Sequence, residues 1–144
     1  MTRTSFAKES CPIARSLDAV GDGWSLLIVR DAFLGRRRFG EFQKALGVAK
    51  NILAVRLKKL VADGVLEAVP ASDGSAYREY VLTGKGRGLF LVIAALGQWG
   101  EGGSCAAFTL VDRRKGKSVR LELRSEDGRR LNPDDVRLVP AAAG

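Results

Sequence analysis

A chain of 144 residues with 46% apolar side chains is long enough for one domain and an appendage, and too apolar to be disordered by default. Two cysteines and no histidine exclude a secreted disulfide framework, a Ser-His or Cys-His nucleophile and any His-ligated metal. The formal net charge of +8 is concentrated: residues 36–59 hold Arg36, Arg37, Arg38, Lys44, Lys50, Arg56, Lys58 and Lys59 against the single acid Glu41.

The first ten residues, MTRTSFAKES, lack the apolar core of a signal peptide, so the expected location is the cytoplasm. Residues 12–20 read as a short helix, with Ser10 as its cap and Pro12 in its first turn. Gly21-Asp22-Gly23 breaks it. Residues 24–34 repeat Leu27, Ile28 and Leu34 at helical spacing, and Gly35 stops them. A third helix is expected over 39–46, with Phe39, Phe42 and Leu46 on one side and Gly47 at its end. The fourth, over 50–62, carries Leu53, Leu57 and Leu60 at i, i+4 and i+7 and ends at Asp63-Gly64.

The period then switches. Residues 65–69 read as a strand, 70–75 hold enough turn formers to reverse the chain, and 77–82 alternate as a second strand. Thr83 caps a fifth helix running to about residue 99. Its stripe is Leu89, Val92, Ile93, Leu96 and Trp99, yet Phe90, Leu91 and Ala94 lie off it. A helix that is apolar nearly all round must be buried nearly all round. One small domain covers one side, so a second copy of the same helix is expected on the other. The dimer set is then Ile13, Leu17, Leu89, Val92, Ile93, Leu96 and Trp99, with Trp24 and Trp99 as core and dimer anchors. The longest apolar run, residues 89–96, falls well short of the roughly 18 needed to span a membrane. Gly84-Lys85-Gly86-Arg87-Gly88 lacks the preceding buried strand and the full spacing of a phosphate-cradling loop. Past residue 103, two more strands are expected at 108–111 and 119–123. The division is 1–103 for the main domain and 104–144 for a small β-rich tail.

Helix, helix, basic helix, two strands with a turn, helix is the order of a winged helix-turn-helix, a mainly α fold with a small β-wing. Gly47-Val48-Ala49 is short enough to set helix 39–46 across helix 50–62. With the leucines inward, the second helix offers Asn51, Ala54, Val55, Lys58 and Lys59 outward and Lys50 at its tip. Asn51 suits an adenine edge, Ala54 and Val55 suit thymine methyls, and Lys58, Lys59, Arg37 and Arg38 suit phosphates. Arg56 borders the core face, where an ion pair and a phosphate contact are equally open. In the wing, Ser75 and Arg78 are expected to make modest contacts. The partner is double-stranded DNA, bound by a homodimer, with no cofactor, no membrane and no enzymatic activity expected. Two alternatives stand beside it: a winged-helix module for protein–protein contact, and a non-specific architectural DNA binder.

Residues 11–101 resemble the HxlR-type winged-helix regulators, relatives of the MarR-like proteins. The resemblance is carried by Cys11-Pro12-Ile13-Ala14-Arg15, by residues 23–31, by Arg37-Arg38-Phe39 with Glu41-Phe42, and by Leu53, Arg56-Leu57 and Leu60. Asp63-Gly64-Val65-Leu66, Glu79-Tyr80, Leu82-Thr83, Lys85-Gly86 and Trp99-Gly100 complete it. Ala49 departs from the usual serine cap and Gly84 from a common proline. The resemblance implies a dimeric bacterial repressor or activator reading a short palindrome. It also implies a small-molecule or oxidant effector. Some such regulators sense oxidants through an N-terminal cysteine like Cys11, which Cys105 of the other subunit could approach; the other reading of Cys11 is a small buried apolar residue. In the tail, Lys115-Gly116 and residues 124–128 resemble zinc-ribbon knuckles whose ligand positions are Lys115, Arg124 and Asp127, a ribbon without its metal.

Overall fold

The computed structural model describes residues 4–100 and 108–140, in two compact units, Met1–Ile93 and Ala94–Gly144. The first unit contains α1 (Pro12–Val20), α2 (Ser25–Phe33), α3 (Phe39–Leu46), α4 (Lys50–Ala62), β1 (Leu66–Pro70), β2 (Arg78–Leu82) and α5 (Gly84–Arg87). Helix α6 (Phe90–Trp99) runs across the division. The tail holds β3 (Leu123–Arg124), β4 (Arg130–Leu131) and a short 3₁₀ turn at Pro133–Asp135. This is the expected mainly α architecture with a two-stranded wing.

Helix α4 organises the core of the first unit. Leu53, Leu57 and Leu60 are buried, along with Ile28 and Val29 of α2, Phe42 of α3, and Val65 and Leu66 at the start of the wing. Gly47 ends α3 at φ 65°, a left-handed conformation that glycine adopts without penalty. Val48 then tucks inward, and Ala49 precedes α4 without any side-chain cap bond. The wing strands pair antiparallel from Leu66 opposite Leu82 to Pro70 opposite Arg78.

Several expectations need correction. Cys11, rather than Ser10, holds the N-cap position of α1 and makes no capping bond. The buried face of α2 is Ser25, Ile28, Val29 and Asp31, and Leu34 is exposed beyond the last turn. The single helix expected over 83–99 is two. Thr83 does cap the first, its Oγ1 accepting from Gly86 N at 3.0 Å. The chain then tightens: Gly88 N donates to both Gly84 O and Lys85 O, and Leu89 N donates to Gly86 O. Three glycines in five residues lower helix propensity enough for this break. Gly86 has a second reason to be glycine, because a Cβ there would stand 2.1 Å from Val65 O. In the tail, Leu123 pairs with Leu131 in β3 and β4, and the strands expected at 108–111 and 119–123 pair with each other only through the bridge Val111 to Ser118. Asp112 closes that turn at once, its N donating to Lys117 O and its Oδ1 accepting from Arg114 N, both at 2.7 Å.

The Gly21-Asp22-Gly23 break holds an unforeseen structural residue. Asp22 Oδ1 accepts from Trp24 N and Ser25 N, each at 2.9 Å, and its Oδ2 accepts from Ser25 Oγ. Arg56 Nε of α4 lies 3.5 Å from the same carboxylate. Burial raises the Asp22 carboxyl, but the Ser25 hydroxyl, the two amides and Arg56 together hold it below its ordinary value. Its stabilising effect is therefore present above the unfolded carboxylate range, near pH 4, and is lost as pH falls through the lower folded value. Asp22→Ala should cost about 2 kcal/mol in urea unfolding at neutral pH, with the difference from the parent shrinking on acidification.

Candidate nucleic-acid interface

The basic segment begins where α2 ends and wraps onto the N-terminus of α3. Glu41 fixes its backbone there, Oε1 accepting from Arg38 N at 2.9 Å and from Arg37 N at 3.1 Å. Those two amide bonds, Arg38's first, lower the Glu41 carboxyl. The wing joins from the other end of the sequence. Tyr80 N donates to Arg37 O at 2.7 Å, so β2 is bonded to the segment leading into α3.

Glu79 lies next to that bond and is buried, at 4% exposure. Its Oε1 stands 3.3 Å from Arg37 Nη1 and its Oε2 3.6 Å from Arg38 Nε, while Ser72 Oγ donates to Oε2 at 3.2 Å. Arg38 Nη2 also reaches Asp73 Oδ2 at 2.5 Å, and its Cζ lies 5.5 Å from the Tyr77 ring centre. The Ser75 amide and the Arg38 guanidinium hold the Asp73 carboxyl at about 2. Conversely, the Asp73 hydrogen bond raises Arg38. An open groove of about 680 Å³ runs beside these groups, lined by Arg38, Phe39, Gly40, Glu41, Lys44, Tyr77, Arg78 and Tyr80.

On α4, Asn51, Ala54, Val55 and Lys58 follow i, i+3, i+4 and i+7 spacing and all are exposed, as is Lys50 at the first helical position. Among the described residues, Lys44, Lys50, Lys58 and Arg78 make no ion pair. Of the two readings open for Arg56, the structure forms the ion pair, to Asp22, and one assignment changes: Lys59 pairs with Asp63 at 2.9 Å along its own helix. A second fails on burial: Ser75 Oγ is shielded from solvent and does not face outward. Sequence reasoning counted Lys44 in the basic segment without giving it a contact, and it missed Asp73, Tyr77 and Glu79. Alternation over residues 77–82 puts Tyr77 and Glu79 on one face, but the distant arginines that neutralise Glu79 carry no local signal.

Residues 19–105 match the family model of the HxlR-like helix-turn-helix. The chain belongs to that family. An uncharacterised HTH-type transcriptional regulator of Mycobacterium tuberculosis is 45% identical over 89 residues, which cover 62% of this chain and 56% of the relative. The HxlR-like chain thus spans little more than half the length of that curated relative. Among solved structures, the transcription-factor candidate PA1607 is 53% identical with a TM-score of 0.85, covering 96% of this chain and all of the other. The redox regulator HypR in its oxidised form is 28% identical with a TM-score of 0.59, covering 67% of this chain and all of the other. The HxlR-like winged-helix fold is therefore established, and no helix among the described residues is long and apolar enough to cross a membrane.

The arrangement around Asp73 can be checked by carboxyl-resolved NMR titration. In Arg38→Ala the Asp73 value should rise from about 2 yet stay below the ordinary carboxylate range, because the Ser75 amide remains in place. An unchanged value would show that Arg38 does not hold Asp73 in solution.

Proposed function

We propose that this HxlR-like chain is a homodimeric, sequence-specific DNA-binding regulator acting in the cytoplasm as a repressor at a palindromic operator. The observation that carries the reading is the outer face of α4, exposed along its length and bearing two lysines without acidic partners. Major-groove recognition requires such a face: short side chains admit the base edges, Asn51 supplies a paired donor and acceptor, and Lys50 and Lys58 neutralise phosphates. Arg37, Arg38, Lys44 and Arg78 extend the basic surface to the wing root. A protein–protein module would have little use for cations left unpaired along one face.

Two further features support the dimer and a signal. Ile13 is 71% and Leu91 64% exposed, and Leu17, Phe90, Val92, Leu96 and Trp99 are exposed as well. Leu89 is half-buried, and Ile93 is buried within its own chain, so it is withdrawn from the dimer set. The thiol of Cys11 is exposed at the start of α1. A structural relative named a redox regulator supports reading it as an oxidant sensor; Cys105 lies outside the described residues. The two thiols could close a bridge only if their Cα atoms came within about 7 Å.

Selection of bound sequences from random DNA, followed by footprinting, tests the core of this reading. Two protected half-sites about one helical turn apart, roughly 10 bp, are expected. Asn51→Ala should relax preference at one base pair by about 1–3 kcal/mol, whereas Lys58→Ala should weaken all sequences alike and flatten the salt slope by about one. A single asymmetric footprint would remove the twofold arrangement.

The assembly and the thiol have their own readouts. Ile13→Glu combined with Leu91→Glu should give monomers by light scattering and lose the operator. Diamide should link or otherwise modify the parent through Cys11 and change operator affinity, and Cys11→Ser should not respond. Equal behaviour of parent and Cys11→Ser would remove the sensing role of the cysteine.

A further inference from the structure

Two acids meet Arg38, and they differ in burial. Glu79 is 4% exposed and spans two guanidiniums, one carboxylate oxygen to each. Asp73 sits in the wing turn with its side chain 55% exposed and touches Arg38 alone among the described cations. A buried acid at the edge of a surface meant for a polyanion is costly on charge alone, since it repels phosphate. Its charge also does more than attach the wing, a task it shares with the Tyr80 N to Arg37 O bond between β2 and the segment leading into α3. What the carboxylate adds is direction. A guanidinium carries five N–H donors, so binding Glu79 through one leaves others for an outside acceptor. Arg37 remains half exposed while so held. A long side chain pinned in this way loses less conformational freedom on binding phosphate.

We propose that Glu79 is a positioning residue for DNA binding: it aims Arg37 and Arg38 at the phosphate backbone, while Asp73 occupies on Arg38 the place a phosphate takes in the complex. The inference rests on the DNA-binding reading above. It assigns opposite signs to two acids on one arginine. The buried acid assists binding, and the exposed acid competes with it.

The test uses the full chain and a fluorescent mixed-sequence duplex of about 30 bp, roughly three helical turns, because phosphate contacts are independent of sequence. Anisotropy is followed from about 50 to 200 mM salt. Glu79→Gln should weaken binding about tenfold at the lowest salt and reduce the salt slope by one to two, the loss of one or two aligned phosphate contacts. Asp73→Asn should bind equally or several-fold more tightly. Tighter binding by Glu79→Gln would show that it acts only as a repelling charge and would overturn the proposal. A Glu79→Gln protein that melts earlier and binds more weakly with an unchanged slope would make Glu79 merely structural, which overturns it too. Weaker binding by Asp73→Asn would overturn the exchange on Arg38. Should Glu79→Gln not fold, Glu79→Asp keeps the charge and shortens the reach; a reduced slope supports positioning and the parent slope refutes it. If the parent itself shows no salt-dependent binding, the DNA-binding reading has failed, and the positioning role fails with it.

Discussion

A carboxylate buried between two arginines ties the wing of this protein to the segment before α3. An isolated two-stranded hairpin is marginal in water, so the wing needs support from outside its own ladder. It receives support at its root, where Glu79 meets Arg37, Arg38 and Ser72 and the Tyr80 amide meets Arg37 O. Glu41 fixes the same two arginines by their backbone amides. The arginine pair thus has its main chain set by α3 and its side chains set by β2. Removing Glu79 leaves the half-exposed Arg37 without its acidic partner, and removing Glu41 leaves two backbone amides without their acceptor.

The helical frame is legible in the sequence because its signals are local. Leucines at 53, 57 and 60 have the period of α4, Gly47 supplies the turn before it, and the observed helix begins and ends where those signals place it. The wing is legible for the same reason, within a residue at each end. The fifth helix is not, because the Thr83 cap and the apolar stripe that starts at Leu89 read as one element although Gly84, Gly86 and Gly88 lie between them. Glycine's cost at those positions outweighs the period. The tail's first strand pair is shorter than its pattern suggests, since apolar residues on both sides of a turn do not specify how far pairing proceeds.

Charge is the least legible property. Counting cations over residues 36–59 treats all eight as available to a partner. The structure sorts them: Arg36 lies 3.8 Å from Asp31, Arg37 and Arg38 share Glu79, Arg56 has Asp22, and Lys59 has Asp63. Lys44, Lys50 and Lys58 keep their charge unpaired. Glu79 and Asp73 stand 42 and 35 residues from the arginines they bind, a separation that no helical or strand period reports. Formal charge locates the surface, and pairing decides which part of it can exchange counterions with a polyanion.

The apolar surface follows a related logic. Ile93 and Ala94 take the buried side of α6, leaving Leu91, Val92, Leu96 and Trp99 facing solvent. Fully burying a side chain of this kind contributes about 1.5–3 kcal/mol, and those exposed here retain roughly half of that to gain. Two copies of Ile13, Leu17, Leu91 and Val92 would then supply on the order of 10 kcal/mol, similar to the roughly 4–15 kcal/mol that association costs. The margin for a twofold pair is therefore narrow rather than generous. In an isologous contact every residue enters twice, so one charged substitution on this surface places two charges in it. A helix that is apolar nearly all round can thus belong to a reversible assembly, one whose strength can be tuned by a single position.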